Sequence, residues 1–336
     1  MEQISKVITV EEHFMSEKVN GEYQKILEKK NLSPAQKVKA SFIQQFVAKG
    51  EITEVGEKRL EFMETHGIDC QILSYGNNSP SYLDPKQAVV LCQMANEELA
   101  GYCKQYPGNF YGFAVLPVGD TGAALTELER AVKTLGLKGI IFNGAYQESY
   151  FDEDRFFPIF EMEQEIKDPV MLHPGEVPTE VAKTYYQGSW PVAVANVFAG
   201  HGIGWHYDAW VQYMRMILSG IFDRLPNLQL ICGHWGELLP YYFNRMDDML
   251  PAAFTGLLHN ISYYFKNNMY ITPSGMFYED DFLFCRNKVG AERILWATDY
   301  PYCKPENSKM YLEKIKLPFE EKEKIAYLNA ENLFGI

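Results

Sequence analysis

The sequence lacks the features that mark several large protein classes. Its six cysteines include no C-x-x-C pair, which argues against a zinc ribbon or a disulfide framework and favours a reducing, cytoplasmic location. No secretion signal and no run of 18 apolar residues are present, so we expect no membrane association. A formal net charge of −13 argues against binding to nucleic acid.

Motifs for nucleotide binding and serine hydrolysis are absent as well. The chain has no Walker loop and no G-x-S-x-G elbow, and "GHGIG" at 200–204 lacks the spacing of a dinucleotide fingerprint. The chain is instead rich in apolar residues: 47% of its 336 residues are hydrophobic and 14% are aromatic. This composition is sufficient for a large core and for a pocket that takes a flat apolar ligand.

Eight short apolar runs, rich in β-branched residues, end in polar or turn residues. Nearly continuous apolar runs are typical of strands buried on both faces, and helical patterns lie between them. The alternation predicts an α/β fold with a parallel sheet, and the number of runs favours a closed (β/α)8 TIM barrel over an open sheet. We expect a single domain, residues 1–336. The runs are 6–14, 70–76, 110–117, 139–144, 168–174, 228–234, 269–275 and 294–301.

Two connections are too long for a single helix, and both follow strands, where barrel enzymes form their active sites. Residues 15–58 are charged and helical in pattern. We interpret them as a helical insertion after strand one that acts as a lid or a subunit contact, with a solvated helical hairpin as the alternative. Residues 175–212 are rich in Gly, Tyr and Trp and allow the same two roles.

Four of the predicted strands end in acidic or imidazole side chains. Each such side chain alone is a common strand-end or turn residue, but their shared position at one end of a barrel indicates a functional site. The residues are Glu11, Glu12 and His13 after strand one, His173 after strand five, His234 after strand six and Asp299 after strand eight.

Alternation along strand one places Glu11 and His13 on one face and turns Glu12 to the other. Together with His173 and Asp299 they form a set of two nitrogen and two oxygen ligands. This set suits one divalent metal ion, Zn²⁺ or Mn²⁺, and leaves positions open for water or substrate. The sequence therefore predicts a catalytic metal site.

The segment "GHWGE" places Glu237 three residues after His234. We expect His234 to handle a proton, with Glu237 holding its imidazole in one tautomer. The alternative is that the segment ends strand six and opens a helix, with Glu237 in the first turn where the helix dipole favours it. Both roles are compatible.

The segments "EEHF", "LHP", "GHWGE", "LPYYFNRMD" and "ATDYP" occur in this order. They resemble the amidohydrolase-2 branch of the amidohydrolase superfamily, which includes the aminocarboxymuconate-semialdehyde decarboxylase-like enzymes. Within it the chain is most similar to metal-dependent, non-oxidative hydroxybenzoate decarboxylases, the γ-resorcylate and 2,3-dihydroxybenzoate decarboxylases. Segments such as "RLEFMETHGIDCQILS" and "SGIFDRLPNLQLICGHWGE" extend the resemblance over most of the chain.

The resemblance implies a TIM barrel with one divalent metal ion on the ligand set named above and His234 as the catalytic histidine. It also implies that Arg245 reaches into a neighbouring subunit's pocket, which makes a homodimer or homotetramer the expected assembly. Arg59 lies where some members carry a second arginine that binds carboxylate. The chain departs from the pattern at Gly175, where the family leads us to expect arginine after "LHP".

The resulting hypothesis is a carboxy-lyase that releases CO2 from a small hydroxylated aromatic, or related unsaturated, carboxylic acid. Asp299 is the expected proton donor, and His234 relays or orients the proton. The expected aromatic wall includes Phe14, Trp205, Phe277, Tyr300 or Tyr302. The roles of His201 and His206, which lie in the long connection after strand five, are left open.

The main alternative is a mononuclear hydrolase or hydratase on the same barrel, acting on a lactone, amide or keto acid. Many superfamily hydrolases use an H-x-H pair on strand one and a bridging lysine on strand four. This chain has E-x-H at Glu11 and His13, and strand four ends "FNG", which disfavours a two-metal hydrolase. A non-catalytic barrel is the second alternative, and the complete ligand set argues against it.

Overall fold

The structure is a computed structural model that describes residues 3–29, 43–76, 78–304 and 307–336. Seven of the eight apolar runs form strands, which are short and buried. They are β1 Ile8–Phe14, β2 Cys70–Tyr75, β3 Phe110–Gly112, β4 Ile140–Asn143, β5 Val170–His173, β6 Leu230–Cys232 and β7 Met269–Ile271. The eighth run is not a regular strand, but its Ile294 forms a parallel bridge to Ile271.

The strands are all parallel and follow one another in chain order, β1-β2-β3 and β4-β5-β6-β7. A parallel bridge between Ala114 and Ile140 joins the two sets. The eighth run closes the ring, because the amide of Val10 donates to the carbonyl of Trp296 and the amide of His13 donates to that of Tyr300, both at 2.7 Å. The fold is therefore the expected (β/α)8 TIM barrel.

Helices follow the strands and cover the barrel. The longer α-helices are Glu17–Glu28, Glu57–His66, Pro85–Gln105, Thr121–Lys133, Phe157–Ile166, Gly204–Leu218, Leu239–Met249, Ile261–Asn268, Glu279–Val289 and Ser308–Lys314. The shorter ones are Thr179–Val181, Val192–Val197, Ile221–Arg224, Ala252–Thr255, Phe319–Glu323 and Asn329–Phe334. The 3-10 turns are Pro80–Tyr82, Asp154–Phe156, His234–Gly236 and Ala291–Arg293, and the π-helical turns are Ala182–Tyr186, Phe198–Gly202 and Lys324–Leu328.

Several helices begin where the sequence supplies a cap. The side chain of Asp84 accepts a hydrogen bond from the amide of Lys86 at the start of Pro85–Gln105, and Asp120 does the same for Ala123 in the next long helix. Such caps satisfy amides that have no partner inside the helix.

Among the described residues, none of the helices has the length and apolar character needed to span a bilayer.

The insertion after β1 is only partly described, because residues 30–42 lie outside the described ranges. Its second part packs on the barrel: Ile43 and Ile52 are buried, and the ring of Phe46 lies 5.1 Å from that of Tyr302. Lys304 pairs with Glu51 at 2.5 Å. These contacts place residues 43–54 beside the loop that follows the eighth run, and a lid or subunit-contact role remains a prediction.

Candidate metal centre and active site

Three strand ends bring four of the predicted ligands together. Asp299 Oδ1 lies 3.0 Å from His13 Nε2, and His173 Nε2 lies 3.7 Å from Glu11 Oε1. Ligand atoms of Glu11, His13 and His173 all lie within 4.8 Å of one another. All four side chains are buried. We call this group the ligand cluster.

The adjacent glutamates of β1 point to different partners, although β1 is not a regular strand. Glu11 is the extra residue of a β-bulge with φ of +74°, a conformation that re-aims a side chain. Glu11 joins the ligand cluster, whereas Glu12 accepts hydrogen bonds from the amides of Thr298 and Tyr300 and from the Thr298 hydroxyl. The carboxylate of Glu12 thereby holds the backbone on both sides of Asp299.

Hydrogen bonds fix the orientation of both histidine ligands. His13 Nδ1 lies 2.9 Å from the hydroxyl of Ser74, which pairs with it in register across β1 and β2. His173 Nδ1 donates to the carbonyl of Pro174 at 2.7 Å. In each ring Nε2 is left for the cluster, which is the usual way proteins orient a metal-binding imidazole.

The second oxygen of Glu11 is held by two hydroxyl groups at the end of β7. Thr272 and Ser274 both donate to Glu11 Oε2, so Oε1 faces the other ligands. Gly233 is required at this point, because a Cβ there would lie 2.5 Å from Glu11 Oε1. The carboxylate is therefore fixed by neighbours on three sides.

The donor set fits a divalent cation. Glu11 Oε1, His13 Nε2 and Asp299 Oδ1 are buried atoms without a hydrogen-bond partner among the residues that the structure describes. Buried polar atoms are almost always paired, and a cation would pair these three at once. Burial, and then the neighbouring histidines, lowers the pKa of His173 well below its usual range, which keeps it in the neutral form that binds metals.

A second polar group, His206, Glu237 and His234, lies beside the ligand cluster. Glu237 Oε2 lies 2.9 Å from His206 Nδ1 and Glu237 Oε1 lies 3.1 Å from His234 Nδ1. His234 Nδ1 is also 3.9 Å from Glu11 Oε1. Burial opposes the charged form of His234, but the carboxylate of Glu237 outweighs it and raises the pKa of His234 to about 9. The predicted pairing of His234 with Glu237 is present.

Strained backbone concentrates at this end of the barrel. Among the described non-glycine residues with positive φ, six belong to these two groups or to the loops that carry them: Glu11, His234, Trp235, Glu237, Ser274 and Asp299. Such conformations cost on the order of 1–3 kcal/mol each and are common at functional sites. The fold therefore accepts local strain in order to aim these side chains.

Three of the predicted substrate contacts lie in packing instead. Phe14 is buried and packs edge-on against Tyr75. Tyr300 is stacked between Phe62, at 4.0 Å, and the guanidinium of Arg59, at 4.8 Å. Arg59 is itself fully buried and donates to the carbonyl of His13 and to Gln71. These side chains pack against the strand ends and against one another. Their predicted roles in substrate binding gain no support from this geometry.

The remaining predicted contacts lie at the surface or the rim. Trp205 is half-buried and donates its indole N–H to His206 Nε2 at 3.0 Å. Arg245 is exposed on the helix Leu239–Met249. Of the other predicted aromatics, Tyr302 is half-buried with its ring 5.0 Å from that of His13, so it lies against the ligand cluster. Phe277 instead stacks on Trp296 at 4.8 Å.

Sequence reasoning missed the small residues that hold the site. Ser74, Thr272 and Ser274 end strands two and seven, so position alone could have identified them, but serine and threonine are too common to stand out. Gly175 has a steric explanation: a Cβ there would lie 2.4 Å from the carbonyl oxygen of Asn143. The arginine expected after "LHP" therefore cannot be accommodated with this backbone.

Comparison with known proteins agrees with this geometry. The profile of the amidohydrolase family (Amidohydro_2) matches residues 50–336. The γ-resorcylate decarboxylase of Polaromonas sp. is 31% identical over 301 residues, covering 86% of this chain and 90% of that protein.

Solved structures give the same result. A Staphylococcus aureus protein described as an amidohydrolase is 40% identical to this chain, with a TM-score of 0.86. The match covers 98% of this chain and 100% of the S. aureus protein. A dihydroxybenzoic acid decarboxylase of Polaromonas sp., solved with manganese and the inhibitor 2-nitroresorcinol, has 28% identity and a TM-score of 0.84, covering 98% and 97%. The chain belongs to the amidohydrolase family, in the amidohydrolase-2 branch that contains the hydroxybenzoate decarboxylases.

Proposed function

We propose that this protein is a metal-dependent, non-oxidative decarboxylase that releases CO2 from a hydroxylated aromatic carboxylic acid. The observation that carries the proposal is the ligand cluster, in which buried atoms of Glu11, His13 and Asp299 converge without partners among the described residues. The imidazole of His234 lies beside it. The relatives that act on hydroxybenzoates support the substrate class.

Glu11, His13, His173 and Asp299 would hold one divalent ion, Zn²⁺ or Mn²⁺. When bound, such an ion supplies positive charge that favours the phenolate form of the substrate and anchors its carboxylate. Glu11 and Asp299 contribute two negative charges and the histidines contribute neutral nitrogens, so the occupied cluster is close to electroneutral before substrate enters.

The reaction exchanges a carbon–carbon bond for a carbon–hydrogen bond. A proton joins the ring carbon that bears the carboxylate, and the electron pair of the breaking bond restores aromaticity as CO2 leaves. We assign the proton transfer to Asp299. A carboxylate beside a cation stays ionised, so Asp299 takes its proton from the substrate hydroxyl or from His234 during binding. His234, with Nδ1 committed to Glu237, has Nε2 available for this transfer.

The test is a screen of hydroxybenzoates, including 2,6- and 2,3-dihydroxybenzoate, for CO2 release by protein loaded with Zn²⁺ and with Mn²⁺. Asp299→Asn protein that still binds metal should lose about 10²–10⁴-fold in kcat, the usual contribution of a positioned acid or base. Full activity in metal-loaded Asp299→Asn protein would remove Asp299 from the proton transfer. No CO2 from any acid with either metal would overturn the proposed function.

A hydrolase or hydratase on the same barrel gives a different result in ¹⁸O-labelled water. Hydrolysis or hydration places the label in the organic product, whereas decarboxylation does not. The end of β4, "FNG" without a lysine, argues only against a two-metal hydrolase, so the labelling experiment is what separates decarboxylation from a one-metal hydrolysis or hydration.

We further propose a homodimer or homotetramer in the cytoplasm. Arg245 lies on a helix face with Tyr241, Tyr242 and Met249, all of them exposed, as expected of a face that packs on another subunit. Mixing Arg245→Ala chains with Asp299→Asn chains should restore activity if Arg245 completes a neighbour's pocket, and an inactive mixture would contradict the assignment. Cell fractionation tests the location.

A further inference from the structure

The long connection after β5 places the imidazole of His206 beside His234 and Glu237. His206 lies in the first turn of the helix Gly204–Leu218, and its ring centroid is 4.3 Å from that of His234. Its side chain is 15% exposed, and that of Glu237 is 1% exposed. A residue 31 positions away in sequence is thus in contact with the buried carboxylate that orients His234.

The protonation of His206 follows from its two partners. The indole N–H of Trp205 can only donate, and it points to His206 Nε2 at 3.0 Å, so Nε2 must carry a lone pair. The remaining nitrogen, Nδ1, therefore carries the proton and donates it to Glu237 Oε2 at 2.9 Å. Trp205 thereby fixes the tautomer in which His206 serves as a donor to Glu237.

Glu237 consequently accepts one N–H on each oxygen. His206 binds Oε2 and His234 binds Oε1, so the carboxylate cannot rotate without losing one of them. Burial alone would raise its pKa, but the two imidazoles reverse the effect and lower it. An ionised, fixed Glu237 is what keeps the proton of His234 on Nδ1 and leaves Nε2 for the substrate.

We propose that His206 is a positioning residue for the reaction: with Trp205, it holds Glu237 in place and, through Glu237, fixes the orientation of His234 and the hydrogen bond of its Nδ1 proton. The proposal rests on the proposed function for its kinetic consequence. His206 itself acts on Glu237, not on the substrate. Losing it should therefore lower kcat and leave KM nearly unchanged.

A second metal ion held by His206, His234 and Glu237 is the competing interpretation, since their ligand atoms are close. The nitrogen–oxygen separations of 2.9 and 3.1 Å are those of hydrogen bonds, and the two Nδ1 atoms face different oxygens of Glu237. A shared ion would instead need both lone pairs to converge on one point about 2.0–2.1 Å away. Metal analysis should find one ion per chain, and two would overturn the proposal.

The matched test uses two amides in place of the imidazole. His206→Asn puts an N–H donor at the position of Nδ1, whereas His206→Gln puts it near Nε2 and leaves Glu237 without this donor. We expect His206→Gln to lose roughly 10–100-fold in kcat, as for other residues that orient a catalytic ligand. His206→Asn should stay within about 5-fold of the natural protein, with KM and metal content of both variants unchanged.

A second measurement does not depend on turnover. In zinc-loaded protein labelled with ¹⁵N-histidine, long-range proton–nitrogen correlation spectra distinguish the two tautomers of each ring. We expect the Nδ1 proton of His234 to be hydrogen-bonded to Glu237 in the natural protein and in His206→Asn, whereas the ¹⁵N signal of His234 Nδ1 should shift in His206→Gln.

The outcomes separate the two proposals. If the natural protein decarboxylates no acid, the proposed function fails while the ¹⁵N measurement still tests His206. An unchanged kcat in His206→Gln, or an unchanged His234 Nδ1 signal in that variant, would overturn the positioning role.

Discussion

Two fully buried carboxylates with unpartnered oxygens lie in different regions of the barrel. Glu11 lies at the carboxyl end of β1, where His13, His173 and Asp299 converge on its free oxygen. Glu163 lies on the outer helix Phe157–Ile166, near Asp168 just before β5, and neither of its oxygens has a partner among the described residues. Burial raises the pKa of both.

The two carboxylates differ in the residues that surround them. Nitrogen ligands and a second carboxylate around Glu11 form a site that a cation would complete. Glu163 belongs to neither of the candidate metal groups found among the described residues, and its charged neighbour is another acid. The neighbouring residues therefore indicate a metal ligand at Glu11, whereas burial beside another acid favours the neutral, protonated form of Glu163.

The largest expected effect separates Glu11 from its neighbour. Glu11→Gln removes a ligand charge, so we expect metal content to fall from one ion per chain to a small fraction, with loss of activity. Glu12→Gln keeps the ligand cluster but puts an amide N–H against donors that now bind a carboxylate. It should retain metal and lose about 2–3 kcal/mol of stability.

Metal analysis and thermal unfolding of the two variants test this contrast. Added Zn²⁺ should raise the Tm of metal-stripped natural protein and of Glu12→Gln, but not that of Glu11→Gln. Equal metal loss in both variants would show that Glu12 is part of the metal site.

A smaller effect is expected from the groups that hold Glu11. Ser274 donates to Glu11 and also accepts the amide of His234, so Ser274→Ala loosens a ligand without removing it. Metal affinity should fall roughly 10–100-fold. Thr126→Ala, on the exposed face of an outer helix, is the control and should leave metal affinity unchanged. Isothermal titration with Zn²⁺ measures both, and unchanged affinity in Ser274→Ala would mean that Glu11 holds its position without it.

The sequence supports the barrel and the ligand cluster because both depend on local pattern. Apolar runs mark the strands, and polar side chains at their ends must share one face of the barrel. Alternation did place Glu11 and His13 together, but the structure achieves this through a bulge at Glu11 with positive φ, which no alternation rule describes. The prediction that Glu12 faces elsewhere agrees with its contacts to Thr298 and Tyr300.

The sequence offered several candidate aromatics, Tyr302 among them, but could not tell which of them lies against the cluster, nor predict partners that are far apart in the chain. Phe14 and Tyr300 lie next to ligands in sequence, yet both rings pack away from the cluster, because neighbours on a strand or turn face different sides. His206 meets Glu237 only through the path of a long connection, and nothing in the spacing of the two residues indicates it. Residue type and strand position predict a site, whereas packing decides which neighbours reach it.

The smallest expected effect concerns the carboxylate without ligands. Because the pKa of Glu163 is raised in the folded state, the folded protein holds a proton that the unfolded chain releases above about pH 4.5. Its contribution to stability therefore falls as pH rises beyond that value. Glu163→Gln carries no such proton, so we expect it to be nearly neutral at pH 4.5 and to stabilise the folded protein at pH 8. Activity and metal content should not change.

Denaturant unfolding at both pH values measures this effect, with Glu165→Gln, exposed on the same helix, as the control that should show no pH-dependent gain. The same comparison cannot be made with Glu11, whose replacement removes a metal ligand together with a buried charge. If Glu163→Gln were instead destabilising at pH 8, Glu163 would have to be ionised and paired. The contrast between Glu11, a carboxylate that binds a cation, and Glu163, a carboxyl group that stays protonated, would then not hold.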